Sequence, residues 1–236
     1  LLSAMHHAPD SGQFDPAEFE RHYAETRGWS SESVQRLADR RRARSRRGRT
    51  ELLDRVGELA AELAVPLASH DDESAAADDD ARDCGASISE YPLTESAARR
   101  ATERGMTTAM GAPNLIRGGS LWDNLSVRTA IEAGVVDVLC ADYHPPSLLA
   151  APFVDTGEPL STRVNRVTRN PAIAAGLSDR GRIASGARAD LIVVDPGLPP
   201  AVERVFVEGR EVLRLDAPPA ADTDREPPAG PSHPRE

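Results

Sequence analysis

Five short apolar runs, each closing on polar residues able to do chemistry, constrain this chain more than any other feature. They are Leu1 to Met5, followed by His6-His7; Val65 to Ser69, followed by His70-Asp71-Asp72; Ala86 to Tyr91, which carries Glu90; Met106 to Met110, followed by Asn114; and Val135 to Ala141, followed by Asp142. Runs of this length bounded by turn residues read as buried strands. Helical patterns lie between them. Leu52, Leu53, Val56, Leu59 and Leu63 recur at helical spacing, Thr94 to Arg104 opens on a capping Thr and stops at Gly105, and Asp123 to Ala133 opens on an Asp and stops at Gly134. Repeated βα units imply a parallel sheet or a (β/α) barrel. Chemistry at the strand C-termini favours the barrel, whose active sites are built there.

A closed barrel has eight strands and about 250 residues of its own, whereas this chain offers five runs in 236 residues. The expected fold is therefore α/β: an incomplete (β/α)8 TIM-like barrel, about the last five βα units, plus a small C-terminal β unit. Residues 1–178 form the barrel portion. Residues 179–214 form the β unit, with a hairpin from Val202 to Leu213 around Glu208-Gly209, and 215–236 read as a disordered tail rich in Pro, Ala and charge. The chain is expected to be the C-terminal piece of a longer protein.

All 28 cationic side chains are arginine. Without lysine the chain can supply no Schiff base, no P-loop lysine and no carboxylated-lysine metal bridge. A net charge of -10 argues against nucleic acid as a partner, since backbone binding requires phosphate neutralisation. Arg36 to Arg49 holds eight arginines in 14 residues; with no aromatic residues among them it reads as a solvated helix face, or secondarily as a source of field drawing in an anionic substrate. No apolar run approaches the roughly 20 residues that cross a bilayer, and no signal peptide opens the chain. A cytoplasmic protein without a membrane partner is expected. Cys84 and Cys140 read as small apolar fillers.

Several residues are candidates for a site. His70 with its neighbouring acids offers metal donors, although a hydrogen-bonded histidine beside a solvated acidic face explains the same residues equally well. Asp142 is the stronger single candidate, because a carboxylate closing a buried strand is costly to bury without a cation; it could bind metal and accept a proton from bound water, or cap the following segment. Glu90 is a third-strand ligand or acid, or an ion-pair partner. Asn114, Arg117, Gly118, Gly119 and Ser120 lie in a Gly-rich connection whose amides and guanidinium suit phosphate oxygens.

The segment from Thr168-Arg169-Asn170-Pro171-Ala172 through Asp179-Arg180-Gly181-Arg182-Ile183 to Gly186-Ala187-Arg188-Ala189-Asp190-Leu191-Ile192-Val193-Val194-Asp195 resembles the closing signature of the amidohydrolase superfamily. More specific motifs resemble its phosphonate-catabolism branch: His7-Ala8-Pro9, Ser69-His70-Asp71-Asp72, Ser89-Glu90-Tyr91-Pro92, Ala112-Pro113-Asn114 with Arg117-Gly118-Gly119-Ser120, and Ala141-Asp142-Tyr143. The resemblance implies a metal-dependent hydrolase on a distorted barrel, cleaving a ribose 5-triphosphate to the 5-phosphate and pyrophosphate. By that analogy Asp142 is catalytic and binds metal, His70, Glu90 and His7 join it as metal ligands, and the ion is zinc or manganese in unspecified number. The partner is a small anionic phosphorylated substrate, and a homo-oligomer is left open. The superfamily's first-strand His-x-His pair is absent, so the chain alone is expected to be weakly active or inactive. Two other readings share these residues: a different amidohydrolase, such as a deacetylase or cyclic-amide hydrolase, and a truncated non-catalytic remnant.

Overall fold

The structure, a computed structural model, describes residues 1–5, 16–120 and 122–215. His6, His7 and residues 216–236 of the expected tail lie outside the described residues. Strand β1 (Leu2–Ala4) precedes helices α1 (Pro16–Arg27) and α2 (Ser31–Glu62). Then come β2 (Leu67–His70), α3 (Ala75–Asp83), β3 (Ile88–Glu90), α4 (Glu95–Glu103), β4 (Thr107–Gly111), α5 (Ala112–Arg117), α6 (Val127–Glu132) and β5 (Val138–Cys140). The five strands form one sheet in the order β1-β2-β3-β4-β5, with every adjacent pair parallel. This is the α/β class and parallel sheet expected from the five apolar runs.

Register decides which side chains share a face. Ser3 pairs with Ala68, Ala68 with Ile88, His70 with Glu90, Glu90 with Ala109, Ala109 with Val138 and Gly111 with Cys140. Side chains alternate along a strand, so these residues project from one side of the sheet. Ala68, Ile88, Ala109 and Val138 are buried together there. The other side is covered by helices. Leu67 packs with Leu53 and Ala60 of α2 and with Ala81, Ala101 and Met106; Met110 and Leu139 pack with Leu115, Val127, Ile131 and Val135. The low aromatic content of 4% is reflected in this Ala-, Val- and Leu-built core.

Helix ends follow capping chemistry. Thr94 accepts a hydrogen bond from the Ala97 amide at 3.1 Å and starts α4 as its sequence position implies. For α6 the cap is Ser126, which accepts from the Thr129 amide at 3.1 Å, rather than Asp123; Asp123 sits at φ 58° in the preceding turn. Inside α2, Gly57 permits a close approach to α3: a Cβ there would lie 2.3 Å from the Cys84 carbonyl oxygen. Gly57→Ala is expected to destabilise the chain by about 1–3 kcal/mol through overpacking, although alanine is the better helix former by about 1 kcal/mol. An unchanged urea midpoint would show instead that α2 can move away from α3.

After β5 the chain continues through α7 (Pro145–Ala150), a 3-10 turn (Ala151–Phe153), α8 (Leu160–Asn165) and α9 (Arg169–Ala174). This segment ties down the outer side of β5: the Leu139 amide donates to the Arg166 carbonyl at 2.9 Å, and Asn170 Nδ2 donates to the Asp137 carbonyl at 2.7 Å. A second sheet, β6 (Leu191–Asp195), β7 (Ala201–Val207) and β8 (Arg210–Arg214), is antiparallel. Its hairpin turns at Glu208-Gly209, with φ of 53° and 76° as a type I′ turn requires. No helix among the described residues is long and apolar enough to cross a membrane.

Candidate functional site

A cavity of about 520 Å³ opens at the C-terminal ends of β2 to β5, lined among others by Met5, His70, Tyr91, Gly111, Arg117 and Asp142. Parallel pairing explains the convergence. Every strand runs the same way, so residues that follow successive strands in sequence arrive at one edge of the sheet. Three of them, Asp71, Tyr91 and Asp142, have left-handed backbone at φ 55°, 55° and 50°. That conformation costs a non-glycine residue roughly 1–2 kcal/mol. Its recurrence at neighbouring strand ends marks a place where the surrounding structure overrides local preference.

His70 is held between carboxylates. Its Nδ1 lies 3.2 Å from Glu90 Oε2, which also accepts from Ser3 Oγ at 2.6 Å, while Nε2 is 3.7 Å from Asp71 Oδ1. Burial acts to lower the imidazole pKa, but the Glu90 hydrogen bond and the charges of Asp71, Glu90 and Asp72 outweigh it, leaving His70 above its ordinary value. For Glu90 burial acts upward, and the hydrogen bonds from His70 and Ser3 leave it below its ordinary value. Behind His70, on the helix side, Ser69 donates to Asp72, and Ser89 donates to Asp78 at 3.0 Å; all four side chains are buried.

Tyr91 packs beside His70 with ring centroids 5.2 Å apart, and its hydroxyl lies 3.0 Å from Cys140 Sγ. Burial, with Cys140 adding to it, pushes the phenol up and keeps it neutral. Burial likewise pushes the Cys140 thiol up to about 11, so no thiolate nucleophile forms at neutral pH. Gly111 leaves room where these groups meet, since a Cβ there would lie 3.2 Å from Tyr91 Cε1 and 3.9 Å from Asp142 Oδ2.

Asp142 is exposed to solvent. The desolvation argument for a cation at this carboxylate therefore does not apply, because the turn at φ 50° carries it out of the strand to the cavity rim. The connection after β4 also differs from a loop: residues 112–117 are α5, begun directly at the strand end with Pro113 in its first turn. The Gly118 and Gly119 amides both donate to the Asn114 carbonyl at 3.0 Å, so they close the helix, and neither residue lines the cavity. Asn114, Arg117 and Ser120 do line it. The Asn114 side chain staples the following segment, donating to the Leu125 carbonyl at 3.3 Å and accepting from the Val127 amide at 3.0 Å. Arg117 Nη1 donates to Tyr143 Oη at 2.8 Å, and Nη2 to the Gly119 carbonyl at 2.9 Å. Tyr91, Trp122 and Tyr143 also line the cavity; Tyr91 and Tyr143 stand in the motifs quoted above without a role of their own, and for Trp122 the signal was its position just after the Gly-rich connection.

His70 and Asp142 have the chemistry of divalent-metal ligands and face the same cavity. Among the described residues, however, no group of three or more His, Cys, Asp or Glu side chains converges to hold an ion. A catalytic zinc takes three protein ligands, so the described donors do not complete a site. Glu90, a sequence candidate for a ligand, is engaged with His70 and Ser3 and does not line the cavity.

A parallel sheet with its cavity at the strand ends defines an α/β fold of barrel type, and solved amidohydrolase structures share that fold. A solved amidohydrolase superposes with a TM-score of 0.50 at 16% identity, covering 70% of this chain and 49% of its own. An atrazine chlorohydrolase from Arthrobacter aurescens TC1, complexed with zinc, gives 0.50 at 20% identity, covering 73% and 49%. In sequence, the chain is similar to alpha-D-ribose 1-methylphosphonate 5-triphosphate diphosphatase of Escherichia coli K12, at 35% identity over 199 residues, 82% of this chain and 53% of that protein. The chain thus spans about half the length of that relative. No family model matches it.

Proposed function

We propose that this chain carries part of the active site of a hydrolase that splits alpha-D-ribose 1-methylphosphonate 5-triphosphate into the 5-phosphate and pyrophosphate. The five-stranded sheet is then an arc of an eight-stranded barrel. The observation that carries the reading is the 35% identity over 82% of the chain, a stretch long enough to include residues 70 to 142 wherever it begins. The cavity supports it, since a cation, Arg117, and a carboxylate, Asp142, both line it.

In this reading water attacks phosphorus, the new P–O bond replaces the one to the pyrophosphate leaving group, and Asp142 accepts the water proton. Arg117 neutralises oxygens of the phosphate chain. A divalent ion, zinc or manganese, belongs to the proposal only with donors beyond the described residues. The substrate is small and anionic, the setting is the cytoplasm, and neither nucleic acid nor membrane takes part.

The test compares pyrophosphate release from the ribose triphosphate with acetate release from N-acetylglucosamine 6-phosphate, with manganese or zinc supplied. Pyrophosphate is the expected product. Acetate alone would transfer the chain to the deacetylase reading.

A further inference from the structure

The rim of the cavity fixes Arg117 in a way that goes beyond its general part in the diphosphatase reading. Arg117, at the end of α5, and Tyr143, two residues beyond strand-following Ala141, come from connections 26 positions apart and meet at 2.8 Å. Both are exposed and both line the cavity. An exposed arginine normally samples many rotamers, at an entropy cost to any ligand that selects one. Here two hydrogen bonds fix the guanidinium plane: Nη1 to the Tyr143 hydroxyl and Nη2 to the Gly119 carbonyl at 2.9 Å. A guanidinium carries five N–H donors, so Nε–H and one hydrogen on each terminal nitrogen stay available for oxygens of an anion. No carboxylate forms an ion pair with Arg117 among those of the described residues. Ser120, whose Oγ accepts from the Trp122 amide at 3.2 Å, keeps its hydroxyl proton on the same lining.

We propose that Arg117, held by Tyr143, forms a subsite for the terminal phosphates of an oligophosphate, with Tyr143 as its positioning residue. The subsite rests on the diphosphatase reading for its place in the reaction: it takes the part of the substrate that leaves as pyrophosphate. Because Tyr143 adjoins Asp142 in the chain, the same turn that presents the carboxylate also sets the arginine. Tyr143 acts through Arg117, so its loss weakens the grip on the anion without removing the cation.

Binding of inorganic pyrophosphate and tripolyphosphate to the whole chain, followed by calorimetry, tests this. Arg117→Ala is expected to weaken tripolyphosphate binding by about a hundredfold, as loss of a bidentate charged contact does. Tyr143→Phe, which removes one oxygen from an exposed ring, is expected to weaken it by about fivefold, the worth of one hydrogen bond. In turnover of the ribose triphosphate, Tyr143→Phe should raise KM while leaving kcat within twofold. Equal binding by the parent and Tyr143→Phe would overturn the positioning role, and equal binding by the parent and Arg117→Ala would overturn the subsite. Inorganic anions bound with this pattern, together with acetate rather than pyrophosphate as the product released in the substrate comparison above, would retain the subsite and reject the diphosphatase reading.

Discussion

Replacing Asp142 by Asn is expected to lower pyrophosphate release by about 10²–10⁴-fold, the usual contribution of a positioned general base, with no change in thermal midpoint. The amide keeps the shape of the side chain but cannot accept the water proton. Folding should tolerate the exchange, because Asp142 is exposed and its left-handed turn at φ 50° is one that asparagine adopts as readily as aspartate. The parent chain alone is expected to turn over slowly, so the comparison is best made under single-turnover conditions, with the protein in excess of substrate. A variant that releases pyrophosphate at the parental rate would remove Asp142 from the chemistry.

The second large effect concerns stability. Arg166 is buried, and its side chain donates from Nε to the Val136 carbonyl at 3.0 Å and from Nη2 to Glu158 Oε1 at 2.7 Å. It thereby fastens the segment after β5 to the residues that enter β5, the strand before Asp142. Arg166→Ala leaves a buried carbonyl and a partly buried carboxylate without their donors. A loss of about 3 kcal/mol is expected, near the lower end for breaking a buried ion pair because Glu158 keeps some access to water. Urea denaturation measures it directly as a shift in midpoint at unchanged slope.

Glu158 adds a pH signature. The Arg166 hydrogen bonds hold its carboxyl below the usual range, against a smaller upward push from burial. A depressed carboxylate contributes stability that is fully present above its unfolded value, about 4.3, and is lost as pH falls through its folded value. The gap in stability between the parent and Glu158→Gln should therefore be constant at neutral pH and close on acidification below about pH 4. A gap that widened toward acid would assign the stabilisation to other groups.

The strands were legible because their runs are short, apolar and bounded by turn residues. β2 and β3 fall within two residues of the runs Val65 to Ser69 and Ala86 to Tyr91. The hairpin at Glu208-Gly209 was legible from Gly209 and the alternating runs on either side of it, although Glu208 takes φ 53° against its own preference. What escaped notice depends on three-dimensional competition for the same groups. The glycines of Arg117-Gly118-Gly119-Ser120 look like a phosphate-binding loop in one dimension, yet a helix that begins at residue 112 needs its last carbonyls capped, and their amides do this.

The order of polar residues after apolar runs determined that any site would lie at one edge of a parallel sheet, because parallel strands bring the residues that follow them to a common end. Tertiary structure alone decided how those residues divide their work. Register pairs Glu90 with His70, so a carboxylate that reads as a ligand is committed to its neighbour. A left-handed turn carries Asp142 out to the rim, where the buried strand before it suggests enclosure. Arg117 and Tyr143 meet across two separate connections, and contact between residues far apart in the chain is set by packing, not by local pattern.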